Sequence, residues 1–350
     1  MKTAYFLIPG DPERRSGGTI YDRRIMAGLA AQGWRVEWCS LDAAFPAPSA
    51  AALAESAAIL AALPDQALTI IDGLALGALP EVAAAERQRL RLVGLVHHPL
   101  ALETGLDEAQ RRQLYASERA ALRQVRQVIV TSPSTARALV DDYAVAPERC
   151  VVVLPGTDPA PLSSGSNGVE LVLLCVSSLT PRKGHAVLLR ALAQLKDRPW
   201  RLRCAGGAHD PLTAAELRTL AASLGLTERI EWLGELHSAA LDAAYQQTDL
   251  LVLPSFHEGY GMALAEALAR GLPIVSTSAG AIPDTVPASA GLLVPPGDAA
   301  ALTQALARVI DEPALRTQLA AGARAARQTL PDWPTVSARF AQVLDAVLAA

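Results

Sequence analysis

Apolar positions along the chain fall into short continuous runs separated by longer stretches of helical period. TAYFLI (3–8), WRVEWC (34–39), LTII (68–71), RLVGLV (91–96), QVIVT (127–131) and CVVVL (150–154) read as strands, and stretches such as 19–32 and 107–124 read as helices between them. Runs this continuous have no polar face. They suit strands of a parallel sheet covered on both sides, not strands with one wet face. Their alternation with helices predicts the βαβ rhythm of a doubly wound α/β domain.

The rhythm stops at PGTDPAPLSSGSNG (155–168), whose Pro, Ser and Gly content reads as a linker. It restarts with VELVLLCVS (169–177), WRLRCAG (200–206), RIEWLG (229–234), DLLVLPS (249–255), LPIVST (272–277) and GLLV (291–294). The tail 299–349 is helical, with breaks at Pro313 and PDWP (331–334). Its last piece carries Val336, Phe340, Val343, Leu344 and Val347 on one side, a stripe that must pack on something. The expected organisation is one α/β domain over residues 1–160, a second over 161–333, and a terminal helix of about 334–350 returning to the first.

Composition narrows the function classes. The 350 residues, 51% hydrophobic and 19% charged, can bury a sizeable core, which excludes wholesale disorder. With a net charge of −4 and no Lys/Arg run, neither a nucleic-acid groove nor a basic membrane patch has support. No apolar run approaches the ~20 residues a membrane span needs. The N-terminus has an apolar stretch of only five residues (Ala4–Ile8), so it reads as a strand and not a signal peptide. A cytoplasmic chain follows as the expectation, peripheral membrane contact aside. Cys39, Cys150, Cys175 and Cys204 are scattered without a C-x-x-C, which favours reduced thiols over a zinc site or a disulfide framework. Basic residues are 28 Arg against 3 Lys, so each Lys draws notice.

Ligands of open parallel sheets sit at the carboxyl ends of the strands, so informative residues should follow strands. After the run 249–255, SFHEGYG leads into a helix starting near Gly261. Gly259 and Gly261 flank that start, where free N–H groups and the positive dipole end favour phosphate, and Glu258 and Glu266 place two carboxylates there. The plain alternative is a loop acid and a solvated helix face. After 169–177, Arg182 and Lys183 lie in PRKGH at a helix entrance. Arg as a fork and Lys as a point charge suit a diphosphate, against a merely solvated basic turn. After the first strand, Gly17 and Gly18 precede a helix, a weaker anion cradle that packing alone would explain equally well. His97 and His98 follow the run 91–96. For a metal they would need more ligands, and Glu103 is the only near candidate in sequence, so no metal is expected. Asp141-Asp142 reads as a solvated helix face. Asp42 mimics a ribose-binding acid of an NAD-dependent oxidoreductase, but no G-x-G-x-x-G precedes it.

In this order, the Gly17–Gly18 loop, a His after a strand, VVLPGTD before the linker, the PRKGH turn and EGYGMALAEALARGLPIV resemble the retaining glycosyltransferases of family 4 over nearly the whole chain. The resemblance implies the GT-B fold, two facing Rossmann-like domains with a cleft between them. It implies metal-independent transfer of a sugar from a nucleoside diphosphate (UDP favoured, GDP next) to an acceptor hydroxyl, with no cofactor. By resemblance, Glu266 binds the ribose, Glu258 contacts donor sugar and diphosphate, and Arg182 and Lys183 hold the diphosphate. Gly17, Gly18, Gly259, Tyr260, Gly261 and Met262 complete the donor site. His97 lies near the reacting sugar, with His98 as the alternative match. His98, Glu103 and Tyr21 are the candidates on the acceptor side. Family members often carry Gly-Arg where this chain has Ser177-Ser178, which removes one diphosphate-binding Arg. Rival readings are a nucleotide-sugar epimerase, an NAD-dependent oxidoreductase and a non-catalytic scaffold on the same fold.

Overall fold

A computed structural model of the chain describes every residue except Pro12, Arg14, Arg15, His209 and Asp210. Part of the early loop 9–24 therefore lies outside the described residues. None of the candidate site residues does. The chain divides into two compact units, one formed by Met1–Gly156 with Pro331–Ala350 and the other by Thr157–Leu330.

The first unit holds a six-stranded parallel sheet of β1 (Thr3–Pro9), β2 (Arg35–Leu41), β3 (Leu68–Asp72), β4 (Arg91–Val96), β5 (Gln127–Val130) and β6 (Cys150–Val152), in the order β2-β1-β3-β4-β5-β6. The continuous apolar runs become central strands: every residue of β3 is buried, as are five of six in β4. The edges differ. Most of β2 is half-exposed, because an edge strand is covered from one side only. The second unit repeats the plan with β7 (Leu171–Val176), β8 (Trp200–Ala205), β9 (Ile230–Gly234), β10 (Leu250–Leu253), β11 (Ile274–Thr277) and β12 (Gly291–Val294), in the order β12-β11-β10-β7-β8-β9. The expected doubly wound architecture is present in both units, each with the α/β layering of the GT-B class.

Strand order fixes where a ligand can sit. Connections leaving neighbouring strands on opposite faces open a crevice at the strand ends, and this occurs where the winding direction reverses. In the first unit the reversal lies between β1 and β3, in the second between β7 and β10. The helix Gly17–Ala31 follows β1, and Asp72 ends β3. The PRKGH turn follows β7, and SFHEGYG follows β10. In each unit the two candidate segments therefore flank the reversal point.

The terminal helix Trp333–Ala349 belongs to the first unit. Asp332 caps it by accepting from the Thr335 amide at 2.8 Å. The five apolar residues of its stripe are all buried, and Phe340 stacks on Phe6 of β1 with ring centroids 6.1 Å apart. The four cysteines are free thiols; Cys175 and Cys204 are buried and Cys39 and Cys150 half-buried. Among the described residues, no helix is long and apolar enough to cross a membrane.

Candidate active site

In the second unit, two loops are locked together at the reversal point. Residues Pro181–Lys183 form a single 3₁₀ turn that ends at Gly184 with φ +72°. A Cβ at Gly184 would stand 2.0 Å from the Pro254 carbonyl oxygen, so only glycine supplies both this backbone conformation and this approach. With the turn pressed against the end of β10, the Phe256 amide donates to the Arg182 carbonyl at 2.8 Å. In return, Arg182 Nη1 donates to the His257 carbonyl at 2.8 Å.

The same contact delivers Lys183 to Glu258. Lys183 Nζ donates to Glu258 Oε1 at 2.6 Å, Ser255 Oγ donates to that oxygen at 2.6 Å, and Arg182 Nη1 lies 4.0 Å from Oε2. Burial, at 6% exposure, disfavours the Glu258 carboxylate. The Lys183 and Arg182 charges and the two hydrogen bonds outweigh it and hold the group below the usual carboxylate range. Two cations around one ionised carboxylate leave a net charge of +1. Glu258 is thus an internal counterion for Lys183, not a free loop acid.

The helix Met262–Ala269 begins a few residues on. Gly261, at φ +90°, precedes it, and no side chain caps its first turn, so its leading amides point outward with the positive end of the dipole. Tyr260 is buried and its carbonyl accepts from Thr285 Oγ1 at 2.8 Å, while Gly259 and Met262 are half-buried. Glu266 lies on the second turn and accepts from the Tyr245 hydroxyl at 2.8 Å. Burial raises the Glu266 carboxyl above its ordinary range, reinforced by Asp158 and Asp242 and opposed by Tyr245 and Arg270. The Ser177-Ser178 position holds no cation. Ser177 Oγ instead lies 3.4 Å from Nε2 of His185, which burial drives down to about 4 and so keeps neutral.

In the first unit, Ser16 caps the helix Gly17–Ala31 by accepting from Thr19, which leaves the Gly17 and Gly18 amides at positions no helix carbonyl can reach. A Cβ at Gly18 would stand 3.1 Å from His97 Cδ2, so the glycine admits the imidazole. His97 Nε2 faces two carboxylates, Asp22 Oδ1 at 3.2 Å and Asp72 Oδ2 at 3.4 Å, both on buried residues. Burial disfavours the imidazolium, but the Asp22 charge and hydrogen bond, joined by Asp72, push His97 up to about 10. Burial in turn raises Asp22 to about 6, against the pull of His97. At neutral pH the cluster is an imidazolium held between carboxylates. Its Nε2 is a hydrogen-bond donor and not a base.

The structure redraws three expectations here. The nearest acids to His97 are Asp22 and Asp72, whereas Glu103 pairs with His98 at 3.4 Å. The ligating atoms of Asp22, Asp72 and His97 lie within 4.8 Å of one another, close enough to share a metal ion as well as a proton. Tyr21 is buried, donates to the Val153 carbonyl at 3.0 Å and sets its ring edge-on to His97, so it supports the imidazole and offers no free hydroxyl to an acceptor. Asp72, at the end of a buried strand, satisfied the strand-end criterion and could have been found from the sequence. Asp22 and Tyr245, inside helices, carried no such signal.

Comparison with known proteins decides the family. Residues 15–161 match the family described as Glycosyltransferase Family 4, and residues 160–326 match that described as Glycosyl transferases group 1. The chain belongs to the family 4 glycosyltransferases. It is similar to the MMP alpha-(1->4)-mannosyltransferase of Mycolicibacterium hassiacum, 28% identical over 74% of this chain and 66% of that protein. It also resembles the D-inositol 3-phosphate glycosyltransferase of Corynebacterium efficiens, at 34% over 52% of this chain and 47% of the relative. These matched stretches span about half to two thirds of the relatives' length. Among solved structures, sucrose-phosphate synthase from Thermosynechococcus elongatus superposes with a TM-score of 0.84 at 24% identity, covering 100% of both chains. HepE from Anabaena, in complex with UDP and glucose, superposes at 0.77 and 20% identity over 97% of this chain and 99% of its own. This family 4 chain thus shares the GT-B fold with both.

Proposed function

We propose that this chain transfers a hexosyl residue from a nucleoside diphosphate sugar, UDP-linked in preference to GDP-linked, to an acceptor hydroxyl with the anomeric configuration retained. The observation that carries the reading is the Arg182–Lys183–Glu258 cluster beside the uncapped helix start at Gly261. A diphosphate leaving group gains negative charge as the bond from the sugar anomeric carbon to its oxygen breaks. Fixed cations and outward-pointing amides stabilise charge that develops at a set place without reorganising. In this reading Lys183 and Arg182 serve the diphosphate, Glu258 keeps Lys183 in place, and Glu266 accepts from the ribose. Gly259–Met262 supply the backbone against which the donor lies. The family resemblance gives the Gly17–Gly18 amides and His97 of the first unit a part in the same transfer, His97 as a charged group. His98 and Glu103, paired on the loop after β4, stand on the acceptor side.

The acceptor oxygen attacks the anomeric carbon on the face the diphosphate leaves, and its proton passes to a diphosphate oxygen. No side chain then has to act as the base, in keeping with Nε2 of His97 being occupied as a donor. The charge on Arg182 and Lys183 offsets the leaving group without a divalent ion. The relatives, a mannosyltransferase and inositol-phosphate glycosyltransferases, and the UDP-glucose bound in a HepE structure support the class. A thermal-shift screen with UDP and GDP tests the donor, since a ligand that binds the native state raises its stability. UDP should raise the melting temperature of the native chain, and Lys183→Ala should reduce that rise. Nucleoside diphosphate release should require added acceptor. Release without one favours an epimerase, and no response to either nucleotide overturns the reading.

A further inference from the structure

We infer that Tyr245 is a positioning residue for the nucleotide: its hydroxyl holds one oxygen of the Glu266 carboxylate so that the other is presented to a ribose hydroxyl. The inference rests on Glu266 being the ribose contact. A glutamate on a helix surface samples many rotamers, and ordering it on ligand binding costs entropy. Here the ordering is already done. Tyr245, on the helix Ser238–Gln246, is fully buried, and its hydroxyl lies 2.8 Å from Glu266 Oε2 and 3.4 Å from the Ala263 carbonyl. A phenol has one proton to donate, and the shorter, charged contact takes it.

The ring cannot turn away, because the Arg270 guanidinium lies over it with 4.3 Å between the carbon of the guanidinium and the ring centroid. Arg270 is itself tied down: it donates to the Glu266 carbonyl at 3.0 Å and pairs with Asp242. The phenol, the guanidinium and the Glu266 backbone thus form one closed frame around the carboxylate. Among the described residues, Glu266 Oε1 receives no hydrogen bond, and the residue is half-buried, so that oxygen is open to a ligand. A frame of this kind selects a ribonucleoside diphosphate over its deoxy counterpart, because only a ribose hydroxyl can use the preset oxygen.

The test is calorimetric titration of the full chain with UDP, 2′,3′-dideoxyuridine diphosphate and inorganic pyrophosphate. Wild type, Tyr245→Phe, Glu266→Ala and the double variant are compared. Tyr245→Phe should weaken UDP about tenfold, or about 1.4 kcal/mol, and leave the other two ligands within about twofold. In the Glu266→Ala background the same change should cost nothing further. Equal weakening of all three ligands by Tyr245→Phe would mean a merely structural role and overturn the inference. So would a UDP affinity that falls in Glu266→Ala but not in Tyr245→Phe. If Glu266→Ala leaves UDP binding intact, the ribose reading itself fails. Should Tyr245→Phe not fold, Arg270→Lys, which loosens the ring and keeps the hydroxyl, is expected to show the same UDP-selective loss, and its absence counts against the inference.

Discussion

Replacing Lys183 by Met removes the principal counterion of a buried carboxylate while keeping much of the side-chain volume. At 2.6 Å the Lys183–Glu258 attraction is about 6 kcal/mol gross at an effective dielectric of about 20. Desolvation of both groups cancels much of this, and stripping one partner from a buried pair costs about 3–5 kcal/mol. Lys183 is 15% exposed and Arg182 remains 4.0 Å from Glu258. The expected penalty is therefore lower, about 2–3 kcal/mol at pH 7.5, or roughly 4–12 °C in the melting of a unit of this size. The sign of its pH dependence is the sharper test. The folded-state carboxyl of Glu258 lies below its ordinary value of 4.5, so its contribution is present above that value and is lost as pH falls through the folded value. The difference between variant and wild type should be full at pH 7.5 and fade as pH falls through the depressed folded-state value, where Glu258 takes up a proton and needs no partner. Urea denaturation of both proteins from pH 3.5 to 8 measures it, and adding Glu258→Gln to the variant should restore most of the loss. A penalty equally large at pH 3.5 and pH 7.5 would refute the ion-pair account.

Three further outcomes follow from the same structure. Gly184→Ala forces an L-residue to φ +72° against the Pro254 carbonyl, which should cost at least about 2 kcal/mol by urea denaturation and weaken UDP binding by displacing the PRKGH turn. Glu118 is buried with its carboxyl pushed up to about 8, chiefly by burial, and accepts from the Leu100 amide at 2.9 Å. Its stabilising effect is complete below about pH 4.5 and is lost as pH rises toward 8, so Glu118→Gln should remove a slope of about 1 kcal/mol per pH unit and make the variant the more stable form at pH 8.5. Phe340→Ala should cost about 3–5 kcal/mol and speed amide exchange along the helix Trp333–Ala349, because the emptied space lies against Phe6.

The layered architecture is legible from local pattern alone. Strands covered on both faces must be apolar throughout, so runs such as LTII and RLVGLV announce a parallel sheet without reference to any partner. The strand-end rule led to PRKGH and SFHEGYG for the same local reason: each loop is read directly off the strand that feeds it. Which of those groups meet depends on the folded chain. Lys183 and Glu258 are 75 positions apart, and only the pairing of β7 with β10 and the glycine contact at Pro254 bring them to 2.6 Å. Asp22, Asp72 and His97 come from a helix interior and two strand ends, and Tyr245 reaches Glu266 from a separate helix. Spacing along a chain encodes the period of a helix or strand, but the charge state of a buried group depends on what the fold places within 4 Å of it, and no local pattern carries that distance.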